Sequence, residues 1–167
     1  MHIFYENLIE KWFKETLTNQ KYEEMLSRLI CGDIENFGYI FKEFVIDNLS
    51  YFDVSGKEPE RVYHAFVLGM LVSLSENYEV KSNKESGYGR YDVMIIPKDI
   101  LKLGIIIEFK KINELSKETI DMAAQEALKQ IEKNKYEQEL ISKGIENTIK
   151  LSIVFKGKEI SIVQENN

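Results

Sequence analysis

The sequence predicts an α+β fold, in which a helical N-terminal segment precedes a region of strands. In the first 76 residues, apolar side chains recur every three or four positions, as in amphipathic helices. From Tyr78 onwards the period changes to two, which is typical of strands. One further helical stretch interrupts these strands, so the predicted order is helices followed by αβββαββ.

Three N-terminal helical regions are predicted, all amphipathic or apolar. Residues 4 to 31 favour two helices, and Asp33 is a suitable N-cap for another helix that runs to Leu49. Pro59 fits the first turn of a helix from about residue 60 to 76, where its missing N–H costs nothing. We expect 1–57 to be a helical segment packed on a core formed by 58–167, with one compact domain overall.

The strand region is bounded by glycine and proline. Strands are predicted at 78–82, 91–96 and 104–110, with a glycine turn at 86–89 between the first two. Ser116 is the expected N-cap of a long helix from about Lys117 to Lys143. Two last strands are predicted at 149–155 and 159–163.

Composition narrows the class of protein. The chain has 167 residues, of which 44% are hydrophobic and 30% charged, enough for a core that needs no disulfide. It has one cysteine, Cys31, and no apolar run of the roughly 18 residues that a membrane span requires. The N-terminus lacks the basic flank and apolar stretch of a secretion signal. We therefore expect a soluble protein of the reducing cytoplasm.

The predicted strand at 104–110 carries charges where an apolar strand ends. Ile105 to Ile107 predict burial on both faces, yet Glu108 and Lys110 follow on one face, with Phe109 on the other. An antiparallel meander would bring Asp92 of the preceding strand beside Glu108. Paired carboxylates favour Mg²⁺ or Mn²⁺ between them, and a nearby lysine suits phosphate chemistry. The alternative is an ordinary Glu108–Lys110 ion pair, with Asp92 capping the turn.

The charge distribution bears on nucleic-acid binding. The net charge of −6 argues against a protein that coats nucleic acid electrostatically. Segment 78–111 nevertheless has seven Lys and Arg against five Asp and Glu, so an anionic ligand is most expected there. Lys84, Ser86 and Arg90, in or beside the glycine turn, are candidate phosphate contacts, and a solvated hairpin tip is the alternative.

Three sequence segments carry a resemblance to a known family. They are ESGYGRYDVMIIP at 85–97, IIIEFKK at 105–111 and ALKQIEKNKY at 127–136. With residues 25 to 163 around them, they resemble the PD-(D/E)XK nuclease superfamily, specifically the nuclease-like domain found C-terminal to AAA-ATPase-like domains in bacterial proteins. The resemblance implies a restriction-endonuclease-like αβββαβ core, with a mixed sheet flanked by helices.

The resemblance also implies roles for individual residues. Asp92 matches the metal-binding aspartate, Glu108 the first residue of the (D/E)XK motif and a metal ligand, and Lys110 the motif's lysine. The backbone carbonyl of Phe109 would complete the metal shell. Glu60, on the helix before the sheet, would be a more distal metal or water contact. The equally compatible alternative is that Glu60 is only a first-turn carboxylate, which the helix dipole favours.

Polar residues on two helices complete the candidate set. Gln130 resembles a glutamine near the site, and Gln125 is a less favoured competitor. Tyr136 resembles a tyrosine that some branches of the superfamily place on the same helix, but positions six apart on a helix are about 120° off one face, so packing alone is the alternative for it. For His64 we favour a hydrogen-bonded structural role.

The implied function is Mg²⁺- or Mn²⁺-dependent hydrolysis of DNA, by in-line attack of an activated water that leaves a 5′-phosphate. The alternative is a catalytically silent nuclease-fold interaction or adaptor module. An AAA-ATPase-like domain would be a partner in the full-length architecture, but no GxxxxGK[ST] loop occurs in the sequence. Whether the chain is an excised domain or a standalone protein stays open. Its acidity predicts weak DNA binding by this chain alone.

Overall fold

The structure is a computed structural model that describes residues 19–49, 67–69, 71–86 and 89–165. Its contacts divide the chain into two compact units, Met1–Ser75 and Glu76–Asn167. The predicted division after residue 57 falls outside the described residues and stays a prediction. No helix in the described ranges is long and apolar enough to cross a membrane.

The first unit contains two described α-helices, α1 (Asn19–Cys31) and α2 (Ile34–Leu49). Asp33 caps α2 as predicted, because its main-chain carbonyl accepts from Phe37 N–H at 3.0 Å and its carboxylate from Asn36 N–H at 3.4 Å. Of the helix predicted over 60–76, the structure describes a helical stretch at 67–69 and a 3₁₀ helix at Val72–Leu74. The predicted helix before residue 19 lies outside the described residues.

The second unit is built on a five-stranded mixed sheet. The strands lie in the order β1-β2-β3-β4-β5, in which β3 and β4 are parallel and every other neighbouring pair is antiparallel. Their bounds are Tyr78–Ser86, Gly89–Pro97, Gly104–Ile112, Thr148–Lys156 and Glu159–Gln164. The predicted α+β class, a mixed sheet with helices and an N-terminal helical segment, is confirmed.

β3 is the central strand of the sheet, and the side chains of its first half are apolar on both faces. Ile105, Ile106 and Ile107 are at most 1% exposed. One face packs against helix α3 (Ile120–Lys133) in an apolar cluster formed by Met94, Ile96, Ile106, Leu128, Ile131, Tyr136, Leu140 and Ile145. Gly104 begins the strand where a Cβ atom would lie 3.0 Å from Leu140, so a larger residue would displace this packing.

The single helix predicted from Lys117 to Lys143 is wrong, since the structure has two helices, α3 and α4 (Gln138–Ser142). α3 ends in a Schellman motif: Tyr136 N–H donates to Ile131 O at 3.3 Å and Lys135 N–H to Glu132 O at 3.0 Å. Lys135 takes the left-handed conformation, with φ 54°, where glycine is usual. The motif buries Tyr136 completely against Ile131, and this packing outweighs the local helical pattern.

The predicted cap of this helix is also wrong by one turn. Thr119 is the N-cap, and its hydroxyl accepts from Met122 N–H at 3.2 Å. Ser116 instead forms a turn in which its hydroxyl accepts from Glu118 N–H at 3.1 Å. Lys156 of β4 donates to the main-chain carbonyls of Ser116 and Glu118, at 3.4 and 2.9 Å, and so holds this loop away from the helical path.

Lys150 of β4 ties several elements of the second unit together. Its Nζ atom lies 2.9 to 3.3 Å from three carboxylates, those of Glu132, Glu137 and Glu165. Burial opposes its charge, but hydrogen bonds to Glu137 and Glu165 outweigh burial and raise the pKa of Lys150. The lysine therefore neutralises the end of α3, the start of α4 and the end of β5 together.

Candidate active site

Two adjacent strands bring the carboxylates of Asp92 and Glu108 together. The antiparallel pairing of β2 and β3 ends at Val93 opposite Ile107, so one step further along this register Asp92 faces Glu108. There the ladder gives way to a side-chain contact, in which Phe109 N–H donates to Asp92 Oδ2 at 2.8 Å. The sequence prediction that the meander would place these two residues side by side is thus confirmed.

Glu108 is a buried acid, only 3% exposed. Its Oε1 accepts a hydrogen bond from the side-chain amide of Gln130 on α3. Its Oε2 is fully buried and has no hydrogen-bond partner among the described residues. Since a buried carboxylate oxygen without a partner is costly, this atom calls for a donor or a cation.

The surroundings of Glu108 shift its pKa. Burial, and then the negative charge of Asp92, raise the pKa of Glu108 from 4.5 to about 8. The charge of Lys110, a hydrogen bond with the main chain of Asp92 and the hydrogen bond from Gln130 act in the opposite direction but do not cancel this rise. Without a bound cation, the site therefore holds Glu108 largely protonated near neutral pH.

Lys110 and Gln130 form a connected pair above the sheet. Lys110 lies two residues after Glu108 on β3, so both side chains leave the same face of the sheet. Its Nζ donates to Gln130 Oε1 at 3.4 Å, while the amide nitrogen of Gln130 donates to Glu108. The Gln130 amide is thus held at both ends, which fixes its orientation and positions the lysine next to the carboxylates.

Two other candidate residues, Gln125 and Tyr136, do not contact the Glu108 carboxylate. Gln125 is exposed on the outer side of α3, away from Glu108. Tyr136 is fully buried in the apolar cluster, and its hydroxyl accepts from the Asn134 amide at 2.8 Å. The alternative that Tyr136 packs is therefore confirmed.

Several candidate residues fall outside what the structure describes. Glu60 and His64 lie in the stretch 50–66, outside the described residues. Lys84, Ser86 and Arg90 are described through their backbone only, as members of the β1–β2 hairpin, in which Ser86 pairs with Gly89. Their roles, like that of the Phe109 carbonyl, stay predictions.

The site fits a divalent cation of the magnesium type. Within the described ranges, no group of three or more His, Cys, Asp or Glu side chains is placed to hold a metal ion. Mg²⁺ needs no such cage, since it retains several waters and binds through one or two carboxylates. Asp92 and Glu108 supply that number, and the orphaned Oε2 of Glu108 supplies an unshared oxygen.

Sequence reasoning missed one residue of this neighbourhood, Ser152 of β4. It is completely buried, and it is the strand partner of Glu108 in the parallel β3–β4 pairing. The available signal was a single hydroxyl inside the apolar run from Leu151 to Phe155.

Asp92 within one strand, and Glu108 and Lys110 within the adjacent strand of a mixed sheet, form an arrangement typical of nuclease-type α+β domains. A family model described as the PD-(D/E)XK nuclease superfamily matches residues 58–165, and the chain belongs to this superfamily. Asp92, Glu108, Lys110 and Gln130 all lie within the matched range. Searches of curated proteins and of solved structures find no significant match to the chain.

Proposed function

We propose that this protein hydrolyses phosphodiester bonds of DNA with the help of Mg²⁺ or Mn²⁺ bound at Asp92 and Glu108. The observation that carries the proposal is the buried carboxylate of Glu108, with one oxygen orphaned among the described residues and a second acid beside it. Membership of the PD-(D/E)XK superfamily implies DNA as the substrate, and these nucleases generally use divalent metals.

A cation would resolve the electrostatic conflict at this site. Two carboxylates side by side repel each other, and burial adds a desolvation cost for Glu108. A divalent cation between them would supply two positive charges, favour the ionised form of Glu108 and give its Oε2 a partner. The same residues that are unfavourable without metal thus become a binding site with it.

Each side chain has a part in the proposed reaction. The bound cation would activate a water and stabilise charge on the phosphate. Asp92 and Glu108 hold it, aided by the Phe109 carbonyl, with Glu60 as a distal contact. Lys110 places a positive charge where negative charge develops on the phosphate.

Supporting contacts complete the proposed site. Gln130 keeps both Glu108 and Lys110 in position through its two hydrogen bonds. Lys84, Ser86 and Arg90 of the β1–β2 hairpin would contact the DNA backbone. The net charge of −6 makes binding by this chain alone weak, so we also propose that an AAA-ATPase-like partner domain supplies further DNA contacts.

Cleavage assays with charge-matched variants test this function. Supercoiled plasmid, single-stranded and duplex oligonucleotides, and RNA are incubated with Mg²⁺, Mn²⁺ or EDTA. Asp92→Asn and Lys110→Ala should each lower metal-dependent DNA cleavage by about 100-fold or more. The matched controls are Asp99→Asn and Lys102→Ala, which alter charges in the β2–β3 turn at the opposite end of the strands and should cleave like the wild type.

The assay also separates the enzyme from the alternative function. If the wild type cleaves no form of nucleic acid and calorimetry detects no divalent-ion binding, the nuclease proposal fails. The chain would then be a catalytically silent interaction module, in which Asp92 only caps the β3 backbone. Cleavage that persists in Asp92→Asn would instead show that the active centre has been assigned to the wrong residues.

A further inference from the structure

Ser152 is an unexplained polar residue in the core of the second unit. It lies in the middle of β4 between Leu151 and Ile153, and all three are 0% exposed. Its Oγ atom is fully buried and has no hydrogen-bond partner among the described residues. Buried hydroxyls are normally hydrogen-bonded, so this atom requires an explanation.

The β3–β4 register places Ser152 next to the carboxylate with the same deficiency. Ser152 pairs directly with Glu108, and in a parallel sheet paired residues project from the same face. On the other side, Ser152 pairs with Val163 of β5. Val163 packs against the apolar cluster described above and against a second cluster on the α3 face of the sheet, formed by Ile112, Ala123, Ala124 and Val154. The two unpartnered atoms, Ser152 Oγ and Glu108 Oε2, therefore occupy adjacent positions beneath α3.

Helix α3 lies over this pair. α3 presents Ala123, Ala124 and Ala127 as buried residues, each at most 1% exposed. Small side chains allow a helix to lie close to a sheet. The two orphaned atoms are chemically complementary, since a hydroxyl donates and a carboxylate oxygen accepts.

We propose that Ser152 is a positioning residue for Glu108, with its hydroxyl linked to Oε2 through one buried water. Strands lie about 4.8 Å apart, a separation that a serine and a glutamate side chain bridge with such a contact. Gln130 already holds Oε1, so Ser152 would complete the restraint of the carboxylate. Each oxygen keeps a second lone pair with which to bind a cation.

This inference rests on the proposed function in one respect, that Glu108 is a metal ligand. Partners that orient a ligand typically change metal affinity by 10- to 100-fold when they are removed. Ser152→Ala should therefore weaken Mn²⁺ binding to the full chain by about 10-fold or more, measured by calorimetry. Ser152→Thr keeps the hydroxyl and should restore much of the affinity.

The matched control is Ser161→Ala on β5. Ser161 lies on the next strand and pairs with Val154 instead of a residue of the site, so its loss should leave Mn²⁺ affinity unchanged. Wild-type affinity in Ser152→Ala would overturn the proposal.

A double-mutant cycle provides a readout that needs no metal. Urea unfolding in EDTA is followed for the wild type, Ser152→Ala, Glu108→Ala and the double variant. If the two side chains interact, the midpoint shift caused by Ser152→Ala should be clearly different in the Glu108→Ala background. Equal shifts in both backgrounds would mean no interaction and would overturn the proposal.

The two measurements keep this inference separate from the proposed function. If the wild type binds no Mn²⁺ and cuts no DNA, the proposed function fails, and the cycle alone decides whether Ser152 restrains Glu108. If the wild type binds Mn²⁺ and cleaves DNA but Ser152→Ala does the same, only the role of Ser152 fails.

Discussion

Replacing Glu108 with glutamine should make the metal-free protein more stable at pH 8, while removing a proposed ligand. In the folded protein the pKa of Glu108 is raised to about 8 from 4.5, so the folded state keeps its proton where the unfolded chain has released it. The unfolded state thus binds fewer protons between these two values. Stability of the wild type must therefore fall as pH rises from about 4.5 through 8.

The size of the effect follows from the two pKa values. They differ by about 3.5, and at about 1.36 kcal/mol for each pKa unit the wild type loses at most about 5 kcal/mol above pH 8. Glutamine has no such titration, and its carbonyl can still accept from Gln130. The gain of Glu108→Gln over the wild type should be small at pH 4 and reach several kcal/mol at pH 8.

Urea unfolding in EDTA at pH 4, 5, 6, 7 and 8 measures this difference. Glu126→Gln is the control, because Glu126 is exposed on the outer side of α3 and should show the pH dependence of the wild type. If the stability curves of the wild type and Glu108→Gln run parallel over this range, Glu108 is not a strained acid, and the electrostatic argument for the cation is refuted.

Three further outcomes are expected. Saturating Mg²⁺ should raise the melting temperature of the wild type, and EDTA should reverse this rise. At a Mg²⁺ concentration of 100 times Kd, the expected gain in the free energy of unfolding is about 2.7 kcal/mol. A similar rise in Glu108→Gln would show that the ion binds elsewhere. Lys150→Met should lower the free energy of unfolding in urea by about 2–3 kcal/mol, because three carboxylates lose their shared positive charge. Lys143→Met, at an exposed lysine, should lower it little. Equal losses in the two variants would contradict the role of Lys150. Lys135→Gly should raise the free energy of unfolding by up to about 1 kcal/mol, because glycine adopts the positive φ without strain. Lys133→Gly, inside the helix, should lower it by about as much. A lower stability of Lys135→Gly would show that the positive φ carries no strain.

The central part of the fold could be predicted because its signals are local. The run of isoleucines at 105–107 identifies a strand buried on both faces, and the short turn before Gly104 implies an antiparallel neighbour. These two facts suffice to place Asp92 beside Glu108. The proximity of Asp92 and Glu108 was therefore predictable from the sequence.

The break between α3 and α4 could not be predicted in this way. It depends on Lys135 adopting a conformation that usually signals glycine, and on the complete burial of Tyr136 five residues after Ile131. No Gly or Pro occurs between Ile131 and Tyr136 to mark the end of a helix, so tertiary packing is what reveals where the helix ends.

Ser152 shows the other limit of sequence reasoning. Its proximity to Glu108 arises from a parallel pairing between strands that are separated by two helices, and no local pattern fixes the register of such a pair. Gln130 was distinguished from Gln125 by resemblance, and the structure gives the physical reason, since Gln130 points towards the sheet while Gln125 is exposed.

The most direct test of the central claim is anomalous diffraction from crystals of the wild type grown with Mn²⁺. We expect one strong anomalous peak between the carboxylates of Asp92 and Glu108, with Glu108 Oε2 or Oε1 at ligand distance. The peak should be absent from crystals of Glu108→Gln grown under the same conditions. A wild-type crystal with no peak at these carboxylates, or with its Mn²⁺ bound elsewhere, would contradict the account.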